Sequence, residues 1–266
     1  MPQSPDADMS DHGRRLHVFD MDGTLLRGAA TIELARHFGK PTVGHDIESR
    51  WLAGSISDRE FWETLLDICA EATEADLDAA FEGSCWMTGT VDVLTDIRAR
   101  GEIAIVITQS PAFFVRRLQR WGAHETYGSD VEVGRPLPDA ATLSPEAKVK
   151  ITQDALARHG LTAQACVAYG DSSSDLDLFT WLPHAVGVNP SPAIARLASA
   201  SYVGTDLRGI LDRPWPAVAH RRRQDLTRAS LVHRYRWQAR QWMTRSRTSC
   251  RSRCLRMTTA SRCPTG

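Results

Sequence analysis

Two aspartates flank a single residue in Phe19-Asp20-Met21-Asp22-Gly23-Thr24-Leu25, directly after the apolar run Leu16 to Phe19. Carboxylates spaced this way at a strand end face one pocket. An ionised Asp can attack phosphorus and form an acyl phosphate. A second Asp two residues on can protonate the leaving oxygen and later activate water. Gly23 permits the sharp turn. Taken alone, the string also reads as an Asp-rich turn. A second acidic string, Tyr169-Gly170-Asp171-Ser172-Ser173-Ser174-Asp175, follows another apolar run. Its carboxylates suit a hard cation such as Mg²⁺, which takes oxygen ligands. Asp175 would equally favour the N-terminus of a helix. Thr108 ends a third run, where its hydroxyl can bond a phosphoryl oxygen; as a helix cap it competes with Ser110, which precedes Pro111. Lys148 falls in the first turn of a helical segment, where a cation opposes the dipole and calls for a compensating role. Read otherwise, it is a solvated lysine like Lys150.

The elements that must position these residues follow from hydrophobic patterning. Leu16–Phe19, Ile103–Ile107, Cys166–Tyr169 and Ala185–Val188 are short, continuous apolar runs. Such runs predict strands of a parallel sheet covered on both faces. Helical spacing predicts helices over Val91–Arg100, Ala112–Trp121 and Pro145–His159, the last capped by Ser144 and stopped by Gly160. The alternation predicts a doubly wound α/β domain, whose ligands bind beyond the carboxyl ends of the strands. Thr31 to about Phe81 breaks the alternation. Amphipathic segments at Ile32–Phe38, Ile47–Leu52, Arg59–Cys69 and Glu74–Phe81 predict a small inserted helical cap. The expected organisation is a disordered N-terminus over 1–15, a core over 16–30 and 88–213, a cap over 31–87 and an Arg-rich, disordered tail over 214–266.

Charge is unevenly spread along the 266 residues. From Arg221 to the end there are thirteen Arg, one acid and no Lys, so this stretch carries +12 and the rest of the chain −12. An acidic body argues against nucleic acid as its main partner; the tail alone could bind polyanions. The strand-and-helix pattern that carries these motifs is complete by about residue 215, which also suits a reading-frame change there. Cys69, Cys85 and Cys166 are scattered in apolar contexts and predict buried thiols of a reducing compartment. Cys250 and Cys254 lack a second pair at zinc spacing. No stretch reaches the length of a membrane span. The expectation is a cytoplasmic protein without a membrane partner; nothing in the sequence sets the oligomeric state.

Asp20 with Asp22, Thr108, Lys148, and Gly170-Asp171 with Asp175 occur in the order of the four motifs of the haloacid dehalogenase superfamily of phosphohydrolases, which this chain resembles over roughly residues 16–210. The helical insertion, Thr108-Gln109-Ser110-Pro111 and Val188-Asn189-Pro190 resemble the phosphoserine-phosphatase-like branch. The resemblance implies catalytic roles for Asp20, Asp22, Thr108 and Lys148. It implies Mg²⁺ contacts from the Asp20 carboxylate, the Asp22 main-chain carbonyl and Asp171, with Asp175 helping to hold the metal's water shell. Substrate contacts are expected from Thr108, Gln109, Lys148 and, in the cap, Arg50 and Trp62. The implied activity is magnesium-dependent hydrolysis of a small phosphorylated metabolite through a phospho-aspartyl intermediate. Phosphotransferase or phosphomutase activity on the same intermediate, and polyanion binding by the tail, are the alternatives. Dehalogenation is disfavoured, because Asp22 is an acid/base that carbon–halogen displacement does not need. Ala29 stands where phosphoserine phosphatases usually carry a Glu, and Gln109-Ser110 where they carry Gly-Gly. These departures argue against free phosphoserine. Trp51, Phe61, Trp62 and Trp86 would favour a larger or more apolar ester, or else pack the cap's own core.

Overall fold

The computed structural model describes residues 14–211. The expectations for the extreme N-terminus and the Arg-rich tail lie outside these residues. Six parallel strands form one sheet: β1 (Leu16–Phe19), β2 (Ile103–Pro111), β3 (Glu125–Ser129), β4 (Cys166–Gly170), β5 (His184–Val188) and β6 (Ala200–Tyr202), in the order β3-β2-β1-β4-β5-β6. β1 is central, with Phe19 level with Val106 of β2 on one side and Tyr169 of β4 on the other. The order reverses about β1, which opens the ligand crevice of a doubly wound sheet beyond its carboxyl end.

Alternating side chains build a core on each face. Leu16, Val18, Ile103, Ile105, Ile107, Cys166 and Ala168 pack on one side, where α7 (Pro145–His159) and α8 (Leu176–Trp181) cover them. Phe19, Ala104, Val106, Val167 and Tyr169 pack on the other. Each fully buried aliphatic or aromatic side chain contributes ~1.5–3 kcal/mol relative to exposure. Both faces are dry, which is why the strands read as continuous apolar runs. α5 (Thr90–Ala99) precedes β2, and a short helix, α6 (Ala112–Val115), follows it; α9 (Pro192–Leu197) lies between β5 and β6.

Four helices lie between β1 and α5: α1 (Ala30–His37), α2 (Pro41–Leu52), α3 (Asp58–Ile68) and α4 (Glu74–Glu82). Local chemistry sets their starts. Ser57 accepts from Glu60 N at the head of α3, and Thr73 forms a capping box with Asp76 at α4. α7 begins as expected, with Ser144 accepting from Ala147 N and Pro145 in its first turn; Gly160 ends it in the left-handed conformation. Cys69 and Cys166 are buried, as read from their contexts, and Cys85 is half-buried. Among the described residues, no helix is long and apolar enough to cross a membrane.

Three expectations are corrected. β3 and β6 are strands that patterning missed. Ala112–Trp121 is not one α-helix: after Val115 it tightens into a 3-10 helix over Arg116–Trp121. Val115, Leu118 and Trp121 recur every third residue, the period of a 3-10 helix. Finally, β2 runs past Thr108 to Pro111, with a register shift against β3 between Ile107 and Pro111. Such an irregularity re-aims side chains at a strand end, and here Thr108 and Ser110 both turn onto Asp22.

Candidate active site

Asp20 follows the last residue of the central strand. Its N–H donates to Tyr169 O at 2.8 Å, which fixes the backbone against β4. The side chain is buried, and Lys148 Nζ donates to its Oδ1 at 2.8 Å. The same ammonium donates to Asp175 Oδ1 at 2.8 Å and to Ser174 Oγ at 3.1 Å. Lys148 is only 1% exposed, so it is the buried competitor of the two lysines; Lys150 pairs with Asp154 on the surface. Burial works against its charge, but Asp175 and Asp20 outweigh burial and hold the ammonium above its ordinary pKa.

Asp20, Asp171 and Asp175 each offer an oxygen, all within 4.8 Å of one another. Burial, ahead of the neighbouring charges, pushes Asp20 up to about 8. Asp171 is raised well above the usual range by burial and by Asp20 and Asp175. Asp171 Oδ1 is buried with no hydrogen-bond partner. A dry set of hard oxygen donors with one oxygen orphaned is the environment a divalent cation satisfies. Asp175 Oδ2 accepts from Asp171 N at 3.1 Å and Ser172 N at 3.4 Å, so it braces the loop while its other oxygen holds Lys148. Gly23 makes room for the cluster. It has φ +76°, and a Cβ there would fall inside the Asp171 carboxylate.

The Asp22 carboxylate turns away from this acidic set. Its Oδ1 accepts from Ala30 N at 2.8 Å, at the first residue of α1. Its Oδ2 accepts from Thr108 Oγ1 at 2.9 Å and Ser110 Oγ at 2.6 Å. Burial raises its pKa, and the three donors oppose that rise. Thr108 is therefore brought to the site through Asp22. Ser110, read as a helix cap, is instead a third donor to this carboxylate; Pro111 occupies the cap position of α6 without a side-chain bond. Gln109 donates from Nε2 to Leu143 O at 3.0 Å.

A cavity of about 700 Å³ opens over these residues. Its core-side lining includes Asp20, Asp22, Gln109, Ser110, Asp171, Ser172–Ser174 and Asn189, and its cap-side lining includes Glu48, Trp51, Phe61 and Trp62. Trp62 is buried; its Nε1 donates to Thr142 Oγ1 at 2.8 Å, which ties α3 to the loop before α7. Trp51 stacks on Phe61 at 4.8 Å. Trp86 is not at the cavity: it packs with Phe81, Phe114 and Trp121. Arg50 is also not brought to the site. It is exposed, pairs with Glu60 and Asp46, and is not among the lining residues. Arg59 pairs with Glu63 and Asp139. Exposed guanidiniums with nearby acids settle into surface pairs of little energetic consequence.

Glu48 was missed entirely. It belongs to the stripe Gly44, Ile47, Glu48 and Trp51, at i, i+3, i+4 and i+7 along α2, whose first three residues are buried. A carboxylate inside an otherwise inward-facing stripe is the signal that could have found it.

A buried carboxyl at the end of the central strand, beside a buried lysine and an acidic cluster, places the site where ligands bind in a doubly wound parallel sheet. A family model for haloacid dehalogenase-like hydrolases matches residues 17–180, and the chain belongs to that family. It is 26% identical over 212 residues to a phosphoserine phosphatase of Idiomarina loihiensis, covering 75% of this chain and 93% of that one. To a phosphoserine phosphatase of Archaeoglobus fulgidus it is 21% identical over 202 residues, covering 74% of this chain and 59% of that relative's length. Among solved structures, a substrate-bound phosphoserine phosphatase superposes with a TM-score of 0.61 at 18% identity, covering 75% of this chain and 98% of the other. A phospho-aspartyl intermediate analogue of phosphoserine phosphatase gives 0.60 at 19%, with the same coverage.

Proposed function

We propose that the chain hydrolyses phosphate monoesters, with Asp20 as the nucleophile that carries the phosphoryl group. The observation that carries this reading is the placement of Asp20: it ends the central strand, lines the cavity, and shares the Lys148 ammonium with Asp175. In the first step an Asp20 oxygen attacks phosphorus, the ester P–O bond breaks, and the leaving alkoxide takes a proton from Asp22. In the second, Asp22 takes a proton from water, the resulting hydroxide attacks phosphorus, and phosphate leaves as the Asp20 carboxylate is regenerated. Asp22 fits this alternation because burial favours its neutral form while Ala30, Thr108 and Ser110 favour its anion. Lys148 offsets charge between nucleophile and phosphate in a site with little solvent.

Asp20 and Asp171 fit Mg²⁺ as direct carboxylate contacts, and the family resemblance implies the Asp22 carbonyl as a third, with Asp175, whose oxygens hold Lys148 and the loop N–H groups, beside the metal's water shell. When bound, Mg²⁺ would neutralise phosphoryl charge and relieve the repulsion within the cluster. The helices α1–α4 act as a cap, since α2 and α3 supply Glu48, Trp51, Phe61 and Trp62 to the cavity wall. The test is phosphate release from a panel of phosphomonoesters, together with thermal melting at increasing Mg²⁺. The reading expects Mg²⁺-dependent turnover, a Tm that rises with Mg²⁺, and silence in EDTA. Full turnover in metal-free buffer, or no turnover of any ester, counts against it.

A further inference from the structure

The cap end of the cavity has a chemistry of its own. Gly44 lets α2 approach α1 closely, for a Cβ there would collide with Ala35. One turn further along, Glu48 is carried inside and is 7% exposed. Thr31 hydrogen-bonds its carboxylate, yet Oε2 is buried with no partner. A carboxylate oxygen in that state costs stability unless something arrives to satisfy it.

We propose that Glu48 receives an ammonium group on the leaving alcohol, so that the preferred substrates are phosphate monoesters of amino alcohols without a carboxylate. This inference rests on the phosphohydrolase reading above. Three features of the cavity select that class. The orphaned Oε2 requires a donor. The rings of Trp51, Phe61 and Trp62 line the same space, and an aromatic face favours a cation over an anion. Among the described lining residues there is no Arg, Lys or His, so a carboxylate on the leaving group would meet Glu48 and Asp22 without a countercharge. Burial, and after it the charge of Asp22, pushes the Glu48 carboxyl up to about 8. The empty cavity therefore favours the neutral acid, and an arriving ammonium supplies the countercharge that stabilises the carboxylate as its partner.

The experiment compares kcat/KM for O-phosphoethanolamine, glycerol 3-phosphate, O-phosphoserine and p-nitrophenyl phosphate, using the full chain with Mg²⁺. Wild type is expected to favour phosphoethanolamine over glycerol 3-phosphate by about tenfold or more, the size of one charged hydrogen bond, and to place phosphoserine below it. In Glu48→Gln the ethanolamine-to-glycerol ratio falls toward one. Trp51→Leu, which keeps the carboxylate, lowers the same ratio and serves if Glu48→Gln fails to fold. Equal turnover of the amino and polyol esters by wild type overturns the assignment. A Glu48→Gln loss of equal size on all four esters also overturns it, leaving Glu48 a structural residue. Turnover of p-nitrophenyl phosphate in either case leaves the phosphohydrolase reading standing; no turnover of any ester removes both.

Discussion

Lys148 reaches Asp20 across 128 positions of chain, its Nζ donating to Asp20 Oδ1 at 2.8 Å while the other carboxylate it holds, Asp175, lies at the same distance. One buried ammonium thus joins α7, the end of β1 and the loop after β4. The helix α7 is presented by its cap at Ser144, so the position of this buried charge depends on a local capping motif.

Removing that ammonium leaves three carboxylates facing one another. Lys148→Met is expected to lose about 3–5 kcal/mol of stability, the range for breaking a buried charged set from one side. Saturating Mg²⁺ should recover part of it, because a divalent cation offsets the same charges. Chemical denaturation with and without Mg²⁺ checks both parts. An unchanged midpoint would mean that the acids do not depend on Lys148.

Gly23 is expected to tolerate no side chain. Its φ of +76° already disfavours L residues, and a Cβ would enter the Asp171 carboxylate. Gly23→Ala should lower Tm and weaken Mg²⁺ binding measured by calorimetry, since Asp171 must move. Wild-type Mg²⁺ affinity in this variant would show that Asp171 has another place to go.

Thr108 and Ser110 converge on one oxygen of Asp22, so their contributions should couple. Thr108→Val and Ser110→Ala are each expected to cut kcat by about tenfold, the worth of one charge-assisted hydrogen bond. The double variant should depart from the product of the two, because residues sharing a partner are not independent. Strict multiplicativity in the double-mutant cycle would place the two hydroxyls in separate roles.

Glu48→Gln should reveal a cost that wild type carries. The Glu48 carboxyl is raised from 4.5 to about 8, first by burial and then by Asp22. Below 4.5 folded and unfolded chains both hold the proton. Between 4.5 and about 8 the unfolded chain releases it while the folded chain keeps it, so this group's contribution to stability falls as pH rises. Glutamine does not titrate. The Tm difference between variant and wild type should therefore move in favour of Glu48→Gln as pH rises from about 5 to about 9. A difference independent of pH would mean that the carboxyl titrates normally.

The buried strands were legible because burial on both faces writes an unbroken apolar run, as in Leu16–Phe19 and Ile103–Ile107. The two edge strands were not. β3 is half-buried over Glu125–Gly128, and β6 is three residues long with Ser201 exposed. Edges carry neither the length nor the apolar run that patterning detects. At the site, Asp20 and Asp171 could be read from their places at strand ends, whereas Lys148 and Asp175 each kept a second reading, as a surface lysine and a helix-start acid, until the family resemblance chose between them. Ser110 was misread, since a Ser before Pro is good cap chemistry and nothing local records the register shift that turns it to Asp22. Arg50 was misread for the opposite reason: an Arg on a cap helix gives no sign of which acids, here Glu60 and Asp46, will claim it.

The central claim is that Asp20 attacks phosphorus, and the most direct test is the initial rate of phosphate release by Asp20→Asn with Mg²⁺ present. An amide cannot act as the carboxylate nucleophile, so the rate is expected to fall by about 10³-fold or more in a protein that still melts cooperatively. Release at close to the wild-type rate would contradict the account.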